Sequence, residues 1–179
     1  GVRLVGSEMC IRDSSEIGHW EADLMLFSDK KSNLMVMQER KSRFTLLTLQ
    51  HNKTANNIVN NQLKLLKTMP KNMIKTITND NGTEFAEHYK LTQQLQIKTF
   101  FCKPHSPWQK GGVENMNGRI RKFLPRKSNL QNLSELDILA LQNHLNNTPR
   151  KCLDFNTPYE IISKALHFNC ESTFQLSLE

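Results

Sequence analysis

Residues 19–27 constrain the fold most, because they form a strand pattern that becomes apolar on both faces. One face carries Trp20, Ala22, Leu24 and Leu26, and the other ends in Met25 and Phe27. A strand that is apolar on both faces lies inside a sheet covered on both sides. Asp23 interrupts this pattern, and a charge in a strand interior is costly unless it is paired or binds a metal ion. The segment predicts a layered α/β fold with a carboxylate near its centre.

The order of the predicted elements narrows the topology. Strands at 19–27, 34–38 and 44–49 are joined by short polar connections, which predicts an antiparallel meander. A helix at 54–69, capped by Thr54, is followed by a strand that ends at Thr78, a short helix to Leu95 and a strand at 97–101. Such alternation of helices and strands after a meander predicts that the later strands join the sheet in parallel. We therefore expect a mixed five-stranded sheet flanked by helices, with further helices capped by Ser134 and opened by a capping box at 157–160.

Composition bounds the class of protein. The 179 residues are 37% hydrophobic and carry a net charge of +7, which favours an acidic partner, above all nucleic acid. The four cysteines form no Cys-x-x-Cys pair and no evident disulfide framework, so we expect a reducing compartment such as the cytoplasm. The sequence predicts no membrane span and no signal peptide.

The beginning of the chain differs from the rest. The run MCIRDS at residues 9–14 resembles the translation of a sequencing-library adapter. We therefore interpret residues 1–15 as a non-native leader and residues 16–179 as one domain, with an upstream domain missing. A disordered native tail is the alternative interpretation.

Two further acidic residues stand in informative places. Asp80 follows a β-branched strand and precedes the turn signal Asn81-Gly82, after which Thr83 is a candidate cap for a helix through Phe85. The ends of strands are where open α/β sheets place their chemistry. The alternative is that Asp80 only shapes the turn.

The third acid, Glu114, belongs to a helix predicted from about Val113 to Phe123. Val113, Met116, Ile120 and Phe123 form its predicted buried stripe. Glu114 lies about 100° around the helix from Val113, at the edge of the core. It either faces a site or forms a surface pair. If Glu114 converged with Asp23 and Asp80, the three carboxylates would repel one another strongly. Bound Mg²⁺ or Mn²⁺ ions would offset that repulsion. Two such ions, about 3.5–4 Å apart, clamp the oxygens of an in-line phosphoryl displacement.

These motifs together resemble those of DDE transposases. The segments 19–23 (HWEAD), 78–85 (TNDNGTEF) and 114–118 (ENMNG) are most similar to the insertion-sequence-30 family, and 33 residues (81–113) separate the second acid from the third, as in that family. Arg121 matches a basic residue of the same group. Segments 39–43, 145–153 and 157–160 also resemble it, so the similarity runs from about Glu16 to the C-terminus.

The resemblance implies a ribonuclease-H-like fold in which Asp23, Asp80 and Glu114 hold two Mg²⁺ or Mn²⁺ ions. The implied activity is cleavage of DNA at transposon ends followed by strand transfer into target DNA, carried out by a homo-oligomer. Such transposases also carry an N-terminal helix-turn-helix region, which the present sequence lacks. Sequence-specific binding of transposon ends by this chain alone is therefore not expected.

Basic and amide side chains near Glu114 are candidate partners of the substrate. The predicted DNA contacts are Lys110, Asn117, Arg119, Arg121 and Lys122, and Asn81 is predicted to support the metal ligands. A solvated helix face is the alternative for the basic residues. For the whole chain, the alternatives are a DNA-binding remnant without activity and another ribonuclease-H-like nuclease or retroviral-type integrase.

Overall fold

A computed structural model describes residues 4, 15–28, 32–52, 54–80, 82, 85–103 and 107–175. Within these ranges the strands are β1 (His19–Leu26), β2 (Asn33–Glu39), β3 (Thr45–Gln50), β4 (Thr76–Asn79) and β5 (Lys98–Phe101). They form one sheet in the order β3-β2-β1-β4-β5. The first three strands are antiparallel, whereas β4 pairs with β1 and β5 with β4 in parallel. The predicted mixed five-stranded sheet is confirmed.

Helices cover both faces of this sheet, as the pattern of residues 19–27 predicts. The α-helices of the described ranges are α1 (Ala55–Leu66), α2 (Tyr89–Leu95), α3 (Gly111–Ile120), α4 (Glu135–Asn146) and α5 (Pro158–Gln175). Trp20 and Ala22 of β1 pack in a core with α1 and α2. Met25 and the neighbouring Phe27 pack in a second core with α3 and α4. Side chains that alternate along β1 therefore contribute to both hydrophobic cores.

The predicted caps differ in outcome. The Ser134 hydroxyl accepts from the Asp137 amide while the Asp137 carboxylate accepts from the Ser134 amide, which confirms the cap of α4. Thr157 and Glu160 form the same reciprocal pair at the start of α5. Thr54 stands before α1, but its hydroxyl donates to Asn52 Oδ1 at 3.0 Å. Thr54 is therefore the N-cap residue of α1, as predicted, but its side chain makes no capping hydrogen bond.

Two further local predictions are corrected. Phe123, predicted in the buried stripe of α3, is 50% exposed, and Leu124 is buried in its place. The reason is that α3 ends at Ile120, so the residues beyond it leave the helical spacing. Phe85 belongs to a separate turn closed by a bond from the His88 amide to the Phe85 carbonyl, and α2 begins only at Tyr89. Thr83 lies outside the described residues.

Leu4, within the segment predicted to be a leader, forms an isolated parallel bridge with Phe101 of β5.

Among the described helices, none is both long enough and apolar enough to cross a membrane.

Candidate active site

Sheet register brings the first two acidic residues side by side. Asp23 lies within β1, and Asp80 comes directly after β4. Glu21 pairs with Thr78 in the parallel register of these two strands. Continuing that register by two residues brings Asp23 level with Asp80, on strands spaced about 4.8 Å apart. The prediction that these two strands are neighbours is confirmed.

A lysine ammonium lies between the two carboxylates. Lys110 Nζ is 2.7 Å from Asp23 Oδ1 and 3.7 Å from Asp80 Oδ2. The lysine side chain is only 7% exposed, whereas those of Asp23 and Asp80 are 22% and 41% exposed. Burial acts to lower the pKa of Lys110, but attraction by both carboxylates outweighs it and the pKa is raised. The ammonium is therefore held in its charged form by the acids it joins.

Each carboxylate has a second partner that restricts its orientation. Asn117 Nδ2 donates to Asp23 Oδ2 at 2.6 Å. The Gly82 amide donates to Asp80 Oδ1 at 3.1 Å, so Asp80 shapes the turn after β4 as well as facing Lys110. The cost of placing Asp23 within a strand is thus met by two polar partners on α3 and its preceding turn.

Glu114 lies on the helix that supplies these partners. It is three residues before Asn117, a spacing at which side chains share one helix face, whereas Lys110 is the N-cap residue just before α3. Since Asn117 contacts Asp23, as does Lys110 just before the helix, this edge of α3 is directed at β1. The Glu114 side chain is exposed at this edge. Among the described residues, no three His, Cys, Asp or Glu side chains are gathered closely enough to hold a metal ion.

A buried ion pair anchors the start of α3. Glu21 Oε2 accepts from the Val113 amide at 2.8 Å, and Glu21 Oε1 lies 2.8 Å from Arg40 Nη1. The same Arg40 nitrogen donates to the Gln109 carbonyl at 3.3 Å. Burial raises the pKa of Glu21, although Arg40 acts in the opposite direction. The carboxylate thus stabilises an N-terminal helix amide and, with Arg40, holds residues 109–113 against the sheet.

Comparison with known proteins shows the family. The integrase core domain family matches residues 13–107, a little more than half of the chain. The chain belongs to the integrase core domain family.

Relatives of this integrase core domain include bacterial transposases. It is 38% identical over 158 residues to the transposase InsI for insertion sequence element IS30A of Escherichia coli, covering 87% of the chain and 40% of that protein. It is 34% identical over 156 residues to the transposase for insertion sequence element IS1086 of Cupriavidus metallidurans, covering 87% of the chain and 46% of that protein. The chain therefore spans less than half the length of these relatives. The resemblance to insertion-sequence-30 transposases is confirmed.

A solved structure confirms the fold of the integrase core domain. The catalytic core domain of BIV integrase superposes with a TM-score of 0.66 at 21% identity. The match covers 86% of the chain and 99% of that structure. The predicted ribonuclease-H-like, α/β fold class is confirmed.

The remaining predicted residues of this integrase core domain occupy different positions. Arg121 Nη2 donates to the Leu26 carbonyl at 2.7 Å, and its guanidinium lies 4.4 Å from the centre of the Phe27 ring. Arg119 Nε donates to Asn115 Oδ1 at 3.2 Å, on another face of α3, and Lys122 is exposed. Asn81 lies outside the described residues. Lys110 contacts the two carboxylates instead of facing solvent. Its predicted contact with DNA stays a prediction.

Sequence reasoning missed Glu21 and Arg40 as parts of this site. A signal for Glu21 was present, because a residue two positions before Asp23 in a strand lies on the same face. For Arg40 the only signal was the family resemblance of segment 39–43, since it follows β2 in a turn and meets Glu21 through the antiparallel pairing of β1 and β2.

Proposed function

We propose that this chain is the catalytic domain of a transposase, cleaving DNA at transposon ends and joining those ends to target DNA. Residues 16–179 form the domain in this proposal, and residues 1–15 are a leader foreign to it. The observation that carries the proposal is the pairing of Asp23 and Asp80, on adjacent parallel strands, around a single cationic atom. The transposase relatives support it.

Two of the three proposed ligands, Asp23 and Asp80, have the chemistry that a divalent metal ion requires. Two carboxylates already hold one positive charge between them, and their oxygens are the hard ligands that Mg²⁺ and Mn²⁺ prefer. Glu114, which shares a helix face with Asn117, is the third ligand in this proposal. Asp23, Asp80 and Glu114 would hold two such ions. When bound, the ions stabilise charge on the attacking and leaving oxygens of the phosphodiester.

The protein's own groups orient this site. Asn117 fixes one oxygen of Asp23, and the Gly82 amide fixes one oxygen of Asp80. Glu21 anchors the first turn of α3 and so positions Glu114 along the sheet. Without a metal ion, the Lys110 ammonium offsets the repulsion between Asp23 and Asp80.

The proposed reaction is a transesterification that needs no covalent enzyme intermediate. A DNA 3′-hydroxyl attacks a target phosphodiester, a new P–O bond forms, and the displaced strand leaves with a 3′-hydroxyl that takes up the proton. In the preceding cleavage, water is the attacking group. The net charge of +7 favours binding of DNA, which is a polyanion. The proposed contacts to the DNA backbone are Arg119, Arg121 and Lys122. A homo-oligomer in the active complex is part of the same proposal.

The test uses the reverse of strand transfer on branched DNA. Such a duplex carries the attacking 3′-hydroxyl and the branch phosphodiester in one molecule, so no region that recognises transposon ends is required. We expect Mg²⁺- or Mn²⁺-dependent resolution of the branch. Asp23→Asn, Asp80→Asn and Glu114→Gln should each slow it at least ~100-fold, since even the outer partners of metal ligands are worth about 10–100-fold.

The matched control is Glu135→Gln, which removes an exposed carboxylate at the start of α4. Its rate should equal that of the unaltered chain. Resolution by Asp80→Asn at the unaltered rate would remove Asp80 from the site. DNA binding without resolution, under all metal conditions, would instead favour the inactive remnant.

A further inference from the structure

A basic cavity lies on a different face of α3 from the carboxylates. Its volume is about 670 Å³, within the range of ligand sites. Gly111, Gly112, Asn115 and Arg119 of α3 line one side, while the turn after β2 and residues 150–152 line the other. Arg119 follows Asn117 by only two residues, about 3 Å along the helix axis. The cavity therefore adjoins the candidate active site across the width of one helix.

Positive charge dominates the lining. Arg43, Arg119, Arg150 and Lys151 all contribute, and no carboxylate is among the described lining residues. The Glu21 carboxylate attracts Arg43 but is already paired with Arg40 at 2.8 Å. Two guanidiniums lie close enough to repel, since burial and then Arg119 lower the pKa of Arg150. Within the described residues this charge is not neutralised, which is the electrostatic requirement of an anion site.

The polar groups that line the cavity differ in accessibility and in hydrogen-bonding role. Arg150 is 4% exposed, and its Nε donor has no hydrogen-bond partner among the described residues. Gln38 Oε1, which belongs to another lining residue, is also buried and unpartnered, but it is an acceptor and does not attract an anion. Unpaired buried donors are costly and are usually satisfied by a ligand or water. The donors that a phosphate oxygen can reach are the exposed guanidinium of Arg119 and the exposed ammonium of Lys151.

The cavity is built on a fixed scaffold. Asn146 accepts from the Thr45 amide at 2.9 Å and donates to the Thr45 carbonyl at 2.8 Å, which docks the end of α4 on β3. Arg150 Nη2 donates to the Leu145 carbonyl at 2.7 Å, so its side chain is fixed from behind. Segment 145–153 resembles the transposase family but contributes nothing to the candidate active site. Its place in this cavity gives it a role.

We propose that this cavity binds phosphodiester groups of the DNA backbone, holding a strand beside the candidate active site. The inference rests on the proposed function for the identity of the ligand. A polyanion is favoured over a free phosphate ion, because the cavity exceeds the size of one phosphate group and presents four cations. Contacts to phosphate groups carry no sequence information, so we expect this binding to be independent of DNA sequence.

The test is DNA binding by the double variant Arg119→Gln/Lys151→Gln. Both side chains are exposed, so their removal leaves the buried scaffold intact. The control is Lys64→Gln/Lys98→Gln, which removes the same charge from exposed positions on α1 and β5. Binding of a short duplex is measured by fluorescence anisotropy in EDTA, from about 50 to 200 mM salt. Thermal unfolding of all proteins verifies that they fold.

We expect the cavity variant to bind about tenfold or more weakly at ~0.1 M salt, with a salt slope reduced by roughly 0.9 for each lost phosphate contact. The control should keep the slope of the unaltered chain. Equal losses in the two double variants would overturn the proposal, because net charge alone would then account for binding. Saturable binding of inorganic phosphate that duplex DNA does not displace would also overturn it. Since binding is measured without metal, failure of the branched-DNA reaction would leave this result standing.

Discussion

The two faces of the sheet differ in what they bury. The face under α1 and α2 is packed with apolar side chains, among them Trp20, Ile58 and Ile77. The face under α3 combines apolar packing at Val113 and Met116 with the Glu21–Arg40 pair and the Asp23–Lys110 pair. β1 serves both faces, since Trp20 points one way and Glu21 the other. The comparison teaches that one face supplies stability through burial, whereas the other holds charges that persist only as pairs.

The largest expected effect comes from breaking the most deeply buried pair. Arg40→Met leaves the Glu21 carboxylate without its cation in a site where the two side chains are 10% and 2% exposed. We expect a loss of about 3–5 kcal/mol in the free energy of unfolding, because an uncompensated buried charge remains. Urea denaturation measures it. Met37→Leu, a volume-conserving change on the apolar face, should cost less than ~1.5 kcal/mol. Equal costs would abolish the contrast between the faces.

A smaller effect, dependent on metal, is expected at Lys110. In EDTA, Lys110→Met should lower the free energy of unfolding by about 1–3 kcal/mol, a value reduced for the partial exposure of Asp23 and Asp80. Saturating Mg²⁺ should stabilise this variant more than the unaltered chain, because no ammonium has to leave the carboxylates. Urea unfolding with and without Mg²⁺ measures both quantities.

Lys122→Met is the control for that experiment, since Lys122 is exposed just beyond the end of the same helix. It should change neither quantity. If Mg²⁺ stabilised the Lys110→Met variant and the unaltered chain equally, the lysine and the metal ion would not share a site.

The smallest effect compares two glycines of α3. A Cβ at Gly112 would lie 2.8 Å from Arg43 Nη1, 2.9 Å from Glu21 Oε2 and 3.0 Å from Gln38 Oε1, whereas one at Gly118 would meet nothing within 4 Å. Gly118→Ala should stabilise the protein by up to ~1 kcal/mol through helix propensity. Gly112→Ala should destabilise it by about 1 kcal/mol, since crowding of the fixed Glu21 outweighs that gain. Thermal unfolding that moved both variants in the same direction would contradict the close approach at Gly112.

Much of the candidate site could be anticipated, for local reasons. The positions of Asp23 in a strand and Asp80 at a strand end follow from alternation and from the turn signal at Gly82, and neighbouring strands then bring them together. Glu114 could be placed only on a helix face, because its distance from β1 depends on how α3 docks. That docking is set by the Glu21 carboxylate and the Val113 amide, which are 92 residues apart in the chain.

By itself the sequence determined the strands, most of the helices, their order and the capping boxes at Ser134 and Thr157, because periodicity and capping are interactions between near neighbours. It also determined which side of β1 carries the acids. Only the tertiary structure decided that Lys110 and Asn117, 87 and 94 residues from Asp23, supply its partners. It alone gathered Arg43, Arg119, Arg150 and Lys151 around one cavity. Such contacts depend on the packing of whole elements against each other, which no local pattern specifies.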